Sequence, residues 1–157
     1  MLFRSGCSYR ELKKYDQALE AFQEARVLFK GLKEVIHVAR CDQNIAHCLT
    51  EKGDAEGALR AAQKALDVFE TAHDHRRENF ALFELAKAHV LNDQLDEGLQ
   101  EMEKVLDIVA ESEPKDFEFI MEIERKLSVV LKNLGKNEES EEIERRLNSV
   151  SDVIKED

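Results

Sequence analysis

Apolar and small side chains recur every three or four residues along most of the chain, which is the spacing of one buried face of an α-helix. In residues 1–13 this face comprises Leu2, Ser5, Gly6, Tyr9 and Leu12. After a short turn the same spacing resumes at Asp16 and continues to Gly31, a residue type that permits a helix to stop. Two helices joined by a turn of about three residues form an αα-hairpin. The pattern therefore predicts a pair of helices over residues 1–31.

This helical pair recurs along the chain with a period of 40 residues. Residues 15–25, 55–65 and 95–105 superpose without a gap, and the alanine-rich stretch over residues 53–66 is the most regular copy. Gly53 and Asp54 end the first helix of the second pair, and Asp54 can accept amide hydrogen bonds from the first turn of the next helix. The period predicts an all-α, right-handed superhelical solenoid of four helix pairs, eight helices in all, in one domain over residues 1–157. Its repeats are residues 1–31, 34–72, 75–111 and 115–154.

The last helix pair departs from the pattern. Pro114 ends the sixth helix, and the fourth unit matches the third only at a spacing of 42 residues, so two residues have been added near Pro114. Ser140 occupies the position of Ala18, Ala58 and Gly98. The final helix, over residues 138–154, has one apolar stripe and is otherwise covered by Glu and Arg, as expected of a helix that caps a solenoid. The stripe comprises Ile143, Leu147, Val150 and Ile154.

The N-terminal end of the chain shows no comparable cap. The sequence begins within the first helix, with Met1, Leu2 and Phe3 and no polar lead-in. We therefore expect an open apolar end, which either a preceding repeat of a longer protein or a second copy of the chain would cover.

The charge balance narrows the range of partners. The chain carries 34 acidic and 23 basic side chains, for a formal net charge of -11, and such a field repels phosphate backbones and anionic lipid surfaces. The sequence has no run of 18 or more apolar residues and no signal-peptide pattern. Its three cysteines fit a reducing compartment. We expect a cytoplasmic protein that binds neither nucleic acid nor membrane.

Catalytic and metal-binding chemistry finds little support in the sequence. No glycine-rich phosphate loop or nucleophile elbow is present, and the Glu pairs of the last helix have the pattern of a solvated face. Cys41 and Cys48 share a helix face with His37, but they fall at buried positions and fit small apolar side chains better than metal ligands. The histidines and arginines of residues 73–77 fit a surface loop. We predict no enzyme activity, no cofactor and no bound metal.

Small and bulky residues occupy matching positions in the first three units. The first carries Gly6, Tyr9, Tyr15, Ala18, Phe22 and Ala25; the second Ala46, Leu49, Ala55, Ala58, Ala62 and Ala65; the third Ala86, His89, Leu95, Gly98, Met102 and Val105. In this arrangement the chain resembles the tetratricopeptide-repeat family, in which small residues lie where two helices cross. The 40-residue period resembles the long-repeat subgroup of that family. The resemblance implies a protein-interaction scaffold with a concave groove.

The resemblance also implies which residues line that groove, because in the family these come from the first helix of each pair. The implied partner-binding residues are Arg10, Arg40, Gln43, Asn44, His47, Phe80, Phe83, Lys87 and Arg125. Arg40 and Asn44, one helical turn apart, resemble a pair with which long-repeat proteins bind a ligand carboxylate and a ligand main chain.

Several of these groove residues are cationic, and two are phenylalanines. We therefore predict that the groove binds an extended or helical peptide that is acidic and has an apolar anchor. The alternative is a sensor or assembly segment of a larger regulator, which self-associates through its N-terminal end as a homo-oligomer.

Overall fold

The computed structural model describes residues 1–156, without the side chains of Ile154 and Glu156. Its helices are α1 (Leu2–Glu11), α2 (Tyr15–Gly31), α3 (Val35–Lys52), α4 (Ala55–Thr71), α5 (His75–Leu91), α6 (Leu95–Glu111), α7 (Phe117–Asn133) and α8 (Asn137–Glu156). Each helix packs on the next one along the chain, and α3 also packs on α5. The predicted all-α fold of four helix pairs is confirmed. The predicted apolar stripe of the last helix includes Ile154, whose side chain lies outside the described part of the chain.

The short connections between helices share one geometry, which the turn after α3 illustrates. Gly53 has φ 86°, and its N–H donates to the carbonyl of Thr50 at 3.1 Å. The N–H of Asp54 donates to the carbonyl of Leu49 at 2.9 Å, which completes a Schellman motif. The Asp54 carboxylate then accepts the N–H of Gly57 at 2.9 Å, as predicted for a helix cap. The residues in the equivalent left-handed position are Lys13, Lys33, His73, Asp93 and Gly135.

The prediction that the second helix continues to Gly31 is confirmed, but the turn that follows does not place a glycine in the left-handed position. Gly31 is the last helical residue of α2, Leu32 follows as its C-cap, and the left-handed residue is Lys33 with φ 58°. The turn geometry requires a positive φ at this later position, and a lysine occupies it despite the steric penalty that a side chain incurs there.

Small residues twelve positions apart meet where the two helices of each pair cross. The pairs are Gly6 and Ala18, Ala46 and Ala58, Ala86 and Gly98, and Ser128 and Ser140. A methyl group added at Gly6 would lie 2.7 Å from the ring of Phe22, and one added at Gly98 would lie 2.5 Å from Val90. The close approach of the helices therefore depends on side-chain size at these positions.

The fourth pair uses two serines at its crossing instead of alanine or glycine. Ser140 is 1% exposed, and its hydroxyl lies 2.9 Å from both the hydroxyl and the carbonyl oxygen of Ser128. The Ser128 hydroxyl also contacts a carboxylate oxygen of Glu144 at 3.1 Å. Because the two buried hydroxyls bond to each other, the departure from the repeat pattern leaves neither of them unsatisfied.

Asp42 interrupts the apolar stripe of α3 with a buried carboxylate. It forms an ion pair with Arg26 of α2, with Asp42 Oδ1 2.6 Å from the guanidinium Nε. A buried charge is tolerated when a partner of opposite charge accompanies it. This ion pair joins the first helix pair to the second.

The first helix pair differs from the expectation of an open end at residues 1–3. Leu2 and Phe3 pack against the core, and the Phe3 ring lies 5.5 Å from the ring of Phe22. Met1 is exposed. Other exposed apolar side chains in and next to this pair are Leu12, Val27, Leu28, Leu32 and Val35. Among the described residues, none of the helices combines the length and the apolar composition that a membrane-spanning helix needs.

Candidate protein-binding groove

Two adjoining cavities lie along α1, α3 and α5, the first helices of the first three pairs, which we call the inner helices. The first, which we call the arginine pocket, has a volume of about 320 Å³ and is lined by Phe3, Cys7, Arg10, Arg40, Gln43, Asn44, Arg76, Arg77 and Phe80. The second, the central cavity, has a volume of about 610 Å³ and also reaches α7. It is lined by Arg10, Glu11, Lys13, Tyr15, Gln43, His47, Glu51, Phe80, Phe83, Glu84, Phe119 and Glu122. Arg10, Gln43 and Phe80 border both, so the two cavities form one continuous groove.

Asn44 holds Arg10 in place at the junction of the two cavities. The Asn44 side chain is 7% exposed, and its Oδ1 accepts a hydrogen bond from Arg10 Nη1 at 2.5 Å. Its Nδ2 donates to the carbonyl oxygen of Arg40 at 2.8 Å. The structure thus gives Asn44 a different role from the implied one: it positions a cation instead of binding a ligand main chain.

Aromatic rings hold two further guanidinium groups of the arginine pocket. The Arg40 guanidinium lies 4.7 Å from the centre of the Phe3 ring, and that of Arg76 lies 5.8 Å from the centre of the Phe80 ring. Such stacking favours an arginine through the negative face of the ring and restricts its conformation. Arg10, Arg40 and Arg76 come from three different inner helices and converge on the same pocket.

The arginine pocket is positively charged within an acidic protein. Its lining contains four arginines and no aspartate or glutamate. Arg77 forms an ion pair with Asp74 at 2.5 Å, which offsets one of the four charges. Among the described residues, Arg10, Arg40 and Arg76 have no carboxylate partner in an ion pair. Their charges are therefore available to a ligand.

Aromatic rings form one wall of the central cavity. Phe80 and Phe119 lie 4.5 Å apart between ring centres, and Phe83 meets Phe119 edge-on at 5.6 Å. Phe80 is half-buried, whereas Phe83 is only 2% exposed. Phe83 therefore belongs to the floor of the cavity, beneath the surface that a ligand would contact, which corrects its predicted role as an apolar contact.

A buried charge network underlies the central cavity. Lys87 Nζ lies 2.9 Å from Glu84 Oε1 and 3.4 Å from His47 Nδ1, and Lys87 is 5% exposed. Burial alone would raise the pKa of Glu84, but the Lys87 charge and the hydrogen bond from His47 outweigh it, and the pKa is lowered. The expectation that Lys87 is a free cation of the groove is therefore wrong, because its charge is already paired below the surface.

The remaining predicted residues divide between this groove and another cleft. Gln43 borders both cavities and His47 lines the central cavity. Arg125 is exposed and lines a separate cleft that it shares with Glu144 and Leu147 of α8. The structure thus does not bring Arg125 together with the other cations of the predicted groove.

Sequence reasoning missed Arg76 and Arg77, which it assigned to a surface loop. The Asp74 carboxylate accepts the N–H of Arg77 at 3.2 Å, so α5 begins at His75 and includes both arginines. Arg76 therefore lies one helical turn before Phe80, on the same face. This four-residue spacing, read together with the cap at Asp74, was the signal that could have identified Arg76.

Two cysteines predicted to act as small apolar residues are fully buried. Burial raises the pKa of the Cys41 thiol to about 12 and that of Cys48 to about 11. Both are held in the protonated, unreactive form. The described residues contain no group of three His, Cys, Asp or Glu side chains positioned to hold a metal ion.

The helix pairs and their crossings give the chain a tetratricopeptide-like repeat fold. The family model for the tetratricopeptide repeat matches residues 1–30, which correspond to the first helix pair. The predicted resemblance is thereby confirmed. The later pairs have the same order of elements, with second helices that begin 40, 40 and 42 residues apart.

Solved structures with this fold are similar over nearly the whole chain. BtubC (BKLC) from P. vanneervenii is 19% identical with a TM-score of 0.79, over 98% of this chain and 63% of that one. The apo form of RapI is 15% identical with a TM-score of 0.81, over 99% of this chain and 56% of that one.

A third solved structure carries nearly identical TPR-like repeats, from a protein of Podosopora anserina assigned as a kinesin light chain. It is 15% identical with a TM-score of 0.65, over 93% of this chain and 71% of that one. The chain thus spans less than two thirds of the length of the first two structures. At these identities the likeness establishes the fold. No curated protein sequence matches the chain.

Proposed function

We propose that the chain is a protein-interaction module that binds a peptide segment along its groove. An acidic group of the peptide occupies the arginine pocket, and an apolar side chain packs against the half-buried Phe80 in the central cavity, whose wall also includes the buried Phe119. The observation that carries this proposal is the continuity of a cationic pocket with an aromatic cavity through Arg10 and Phe80. One short peptide reaches both.

Preorganisation favours this function. The groove side chains are held by contacts within the protein, such as Arg10 by Asn44 and Arg40 by Phe3, so a ligand does not have to order them. The formal net charge of -11 repels an acidic peptide from most of the surface. The arginine pocket is an exception to that field, and electrostatic complementarity therefore directs an acidic segment to it.

The test is binding of degenerate peptide libraries measured by fluorescence polarisation. One library carries glutamate and phenylalanine at fixed positions, and in the second library glutamine replaces the glutamate. Arg40→Glu reverses a charge inside the pocket, and Arg60→Glu makes the same change on the exposed face of α4, where the Arg60 side chain is 69% exposed. We expect Arg40→Glu to weaken binding of the glutamate library by about tenfold or more and Arg60→Glu to have little effect. Equal affinities of the two variants would contradict the groove as the binding site.

We also infer a second candidate function, self-association through the first helix pair. Leu28 and Leu32 are 57% and 71% exposed, and Val35, which begins α3, is 60% exposed. The three side chains lie close together in sequence, at and just after the end of α2, and exposed apolar patches are typical of interfaces between protein chains. Light scattering across a dilution series measures this: a dimer that Leu32→Glu dissociates supports it, and a monomer at every concentration rules it out.

A further inference from the structure

We propose that the arginine pocket recognises a phosphorylated side chain, a phosphoserine or phosphothreonine, on the peptide that the groove binds. This inference rests on the proposed function and specifies the chemistry of its acidic group. Three observations support it: the uncompensated charge of the pocket, the arrangement of its guanidinium groups, and its connection to the central cavity.

The first observation is the charge that the pocket offers. Arg10, Arg40 and Arg76 contact neutral groups: an amide oxygen and two phenylalanine rings. Together they supply three positive charges that no carboxylate lining the pocket offsets. A phosphoryl group carries a charge of about -1.5 to -2 at neutral pH, whereas a carboxylate carries a single charge. A dianion therefore matches this charge better than glutamate or aspartate.

The second observation is the arrangement of the donors. The three guanidinium groups belong to α1, α3 and α5 and border one pocket of about 320 Å³. Each guanidinium is a planar fork of N–H donors that pairs with two oxygen atoms at once. One such fork pairs with both oxygens of a carboxylate, whereas a phosphoryl group presents three terminal oxygens in different directions. Donors that converge from three helices suit the latter geometry.

The stacked rings make this arrangement available without a large ordering cost. Phe3 supports Arg40 and Phe80 supports Arg76, while Asn44 fixes Arg10 at 2.5 Å. Because the supporting groups are uncharged, they restrict the conformations of the arginine side chains without neutralising their positive charges. A carboxylate in the same supporting role would have reduced the affinity for an anion.

The third observation distinguishes a peptide from a free phosphate ion. The arginine pocket opens into the central cavity, whose volume of about 610 Å³ and aromatic wall provide space for the residues that flank a phosphorylated side chain. Gln43 borders both cavities and offers amide groups at their junction, where the peptide main chain would pass. A phosphate ion alone would leave these contacts unused.

The experiment compares four probes by fluorescence polarisation and competition. They are a degenerate peptide library with one fixed phosphoserine, the same library with serine, the same library with glutamate, and inorganic phosphate. The ¹H–¹⁵N spectrum of the arginine Nε–H groups is recorded in parallel. We expect the phosphoserine library to bind about tenfold or more tightly than the glutamate library, with shifts of the Arg10, Arg40 and Arg76 signals. The Arg60 signal stays unchanged.

Variants test the assignment to this pocket. Arg76 is exposed, so Arg76→Gln removes one donor fork without disturbing the core, and Arg60→Gln is the matched control. We expect Arg76→Gln to reduce the preference for phosphoserine over glutamate several-fold and Arg60→Gln to retain it. Circular dichroism checks that both variants remain folded.

The other possible results contradict different parts of the proposal: the phosphoryl group, the peptide ligand or the binding function itself. If glutamate and phosphoserine peptides bind equally, the phosphoryl inference is wrong although the groove still binds acidic peptides. Inorganic phosphate that binds as tightly as the phosphoserine library would make the pocket a site for a small anion and would overturn the peptide assignment. If no library binds, both the phosphoryl inference and the proposed function fail.

Discussion

The buried network beneath the central cavity gives a prediction with a defined magnitude. Lys87 and Glu84 are 5% and 8% exposed, and Glu84 Oε2 has no hydrogen-bond partner among the described residues. Lys87→Met keeps an unbranched apolar stem and removes the charge that lies 2.9 Å from Glu84 Oε1. The variant therefore leaves a buried carboxylate with only His47 nearby.

We expect Lys87→Met to lower the free energy of unfolding at neutral pH by about 3–5 kcal/mol, which is typical when one partner of a buried ion pair is lost. With a denaturant slope of about 2 kcal/mol/M for urea, the midpoint of unfolding falls by about 1.5–2.5 M. Adding Glu84→Gln to this variant removes the unpaired charge and recovers most of the loss. The double-mutant cycle then isolates the coupling energy between the two side chains.

The pH dependence provides a second and independent check. In the native protein Lys87 and His47 keep the pKa of Glu84 lowered despite burial, so the group contributes stability above its unfolded pKa. That contribution is lost as the pH falls through the folded pKa. In Lys87→Met, burial dominates and raises the pKa of Glu84, so acid relieves the penalty.

The difference in stability between the native protein and Lys87→Met should therefore shrink as the pH is lowered. Urea unfolding followed by circular dichroism at neutral and mildly acidic pH measures it. A loss below about 1 kcal/mol at neutral pH, the range of an exposed ion pair, would refute the reasoning. A loss that does not change with pH would refute it as well.

Four further predictions concern the scaffold. Gly98→Ala places a methyl group 2.5 Å from Val90 and 3.0 Å from the carbonyl of Ala86, and we expect a loss of about 1–3 kcal/mol in urea unfolding. Gly31→Ala meets no atom within 4 Å and should stabilise α2 by roughly 0.5–1 kcal/mol. Lys33→Gly relieves a φ of 58° and should stabilise the chain by about 0.5–1 kcal/mol. Because burial raises the pKa of Cys41 to about 12, a thiol reagent should modify this residue only on unfolding.

These scaffold predictions have clear contrary outcomes. If Gly98→Ala is as stable as Gly31→Ala, the close crossing of α5 and α6 does not depend on the missing side chain. A destabilised Lys33→Gly variant would show that the lysine contributes more than its backbone strain costs. Mass spectrometry of the native protein after labelling would reveal a modified Cys41, and the burial argument would then be wrong.

The fold could be predicted from the sequence because its determinants are local and repeated. The small residues at helix crossings recur every 40 residues, and Asp54 caps a helix as its position after Gly53 indicates. The end of α2 at Gly31 was predicted correctly, whereas the left-handed residue of the following turn is Lys33, a residue type that does not indicate a positive φ from sequence.

The groove was predicted less completely, because burial of polar residues depends on contacts between repeats. From sequence Lys87 is predicted to be an exposed cation, whereas in the structure it is buried and paired with Glu84, which also lies beside His47. From sequence Asn44 is predicted to contact a ligand, whereas in the structure it accepts a hydrogen bond from Arg10, 34 residues away. Spacing within one helix indicates which face a residue occupies, but it does not indicate what the neighbouring repeat brings to that face.

The Schellman turns leave little room for extra residues between helices. In the turn after α3, the N–H of Asp54 completes the end of α3 and its carboxylate caps the start of α4. A residue inserted in this turn would prevent one residue from making both hydrogen bonds. Among the connections within residues 1–156, the one between α6 and α7 spans residues 112–116 and has no left-handed residue. It is therefore the connection where the scaffold can accept an inserted tag or sensor domain, with both flanking helices left intact.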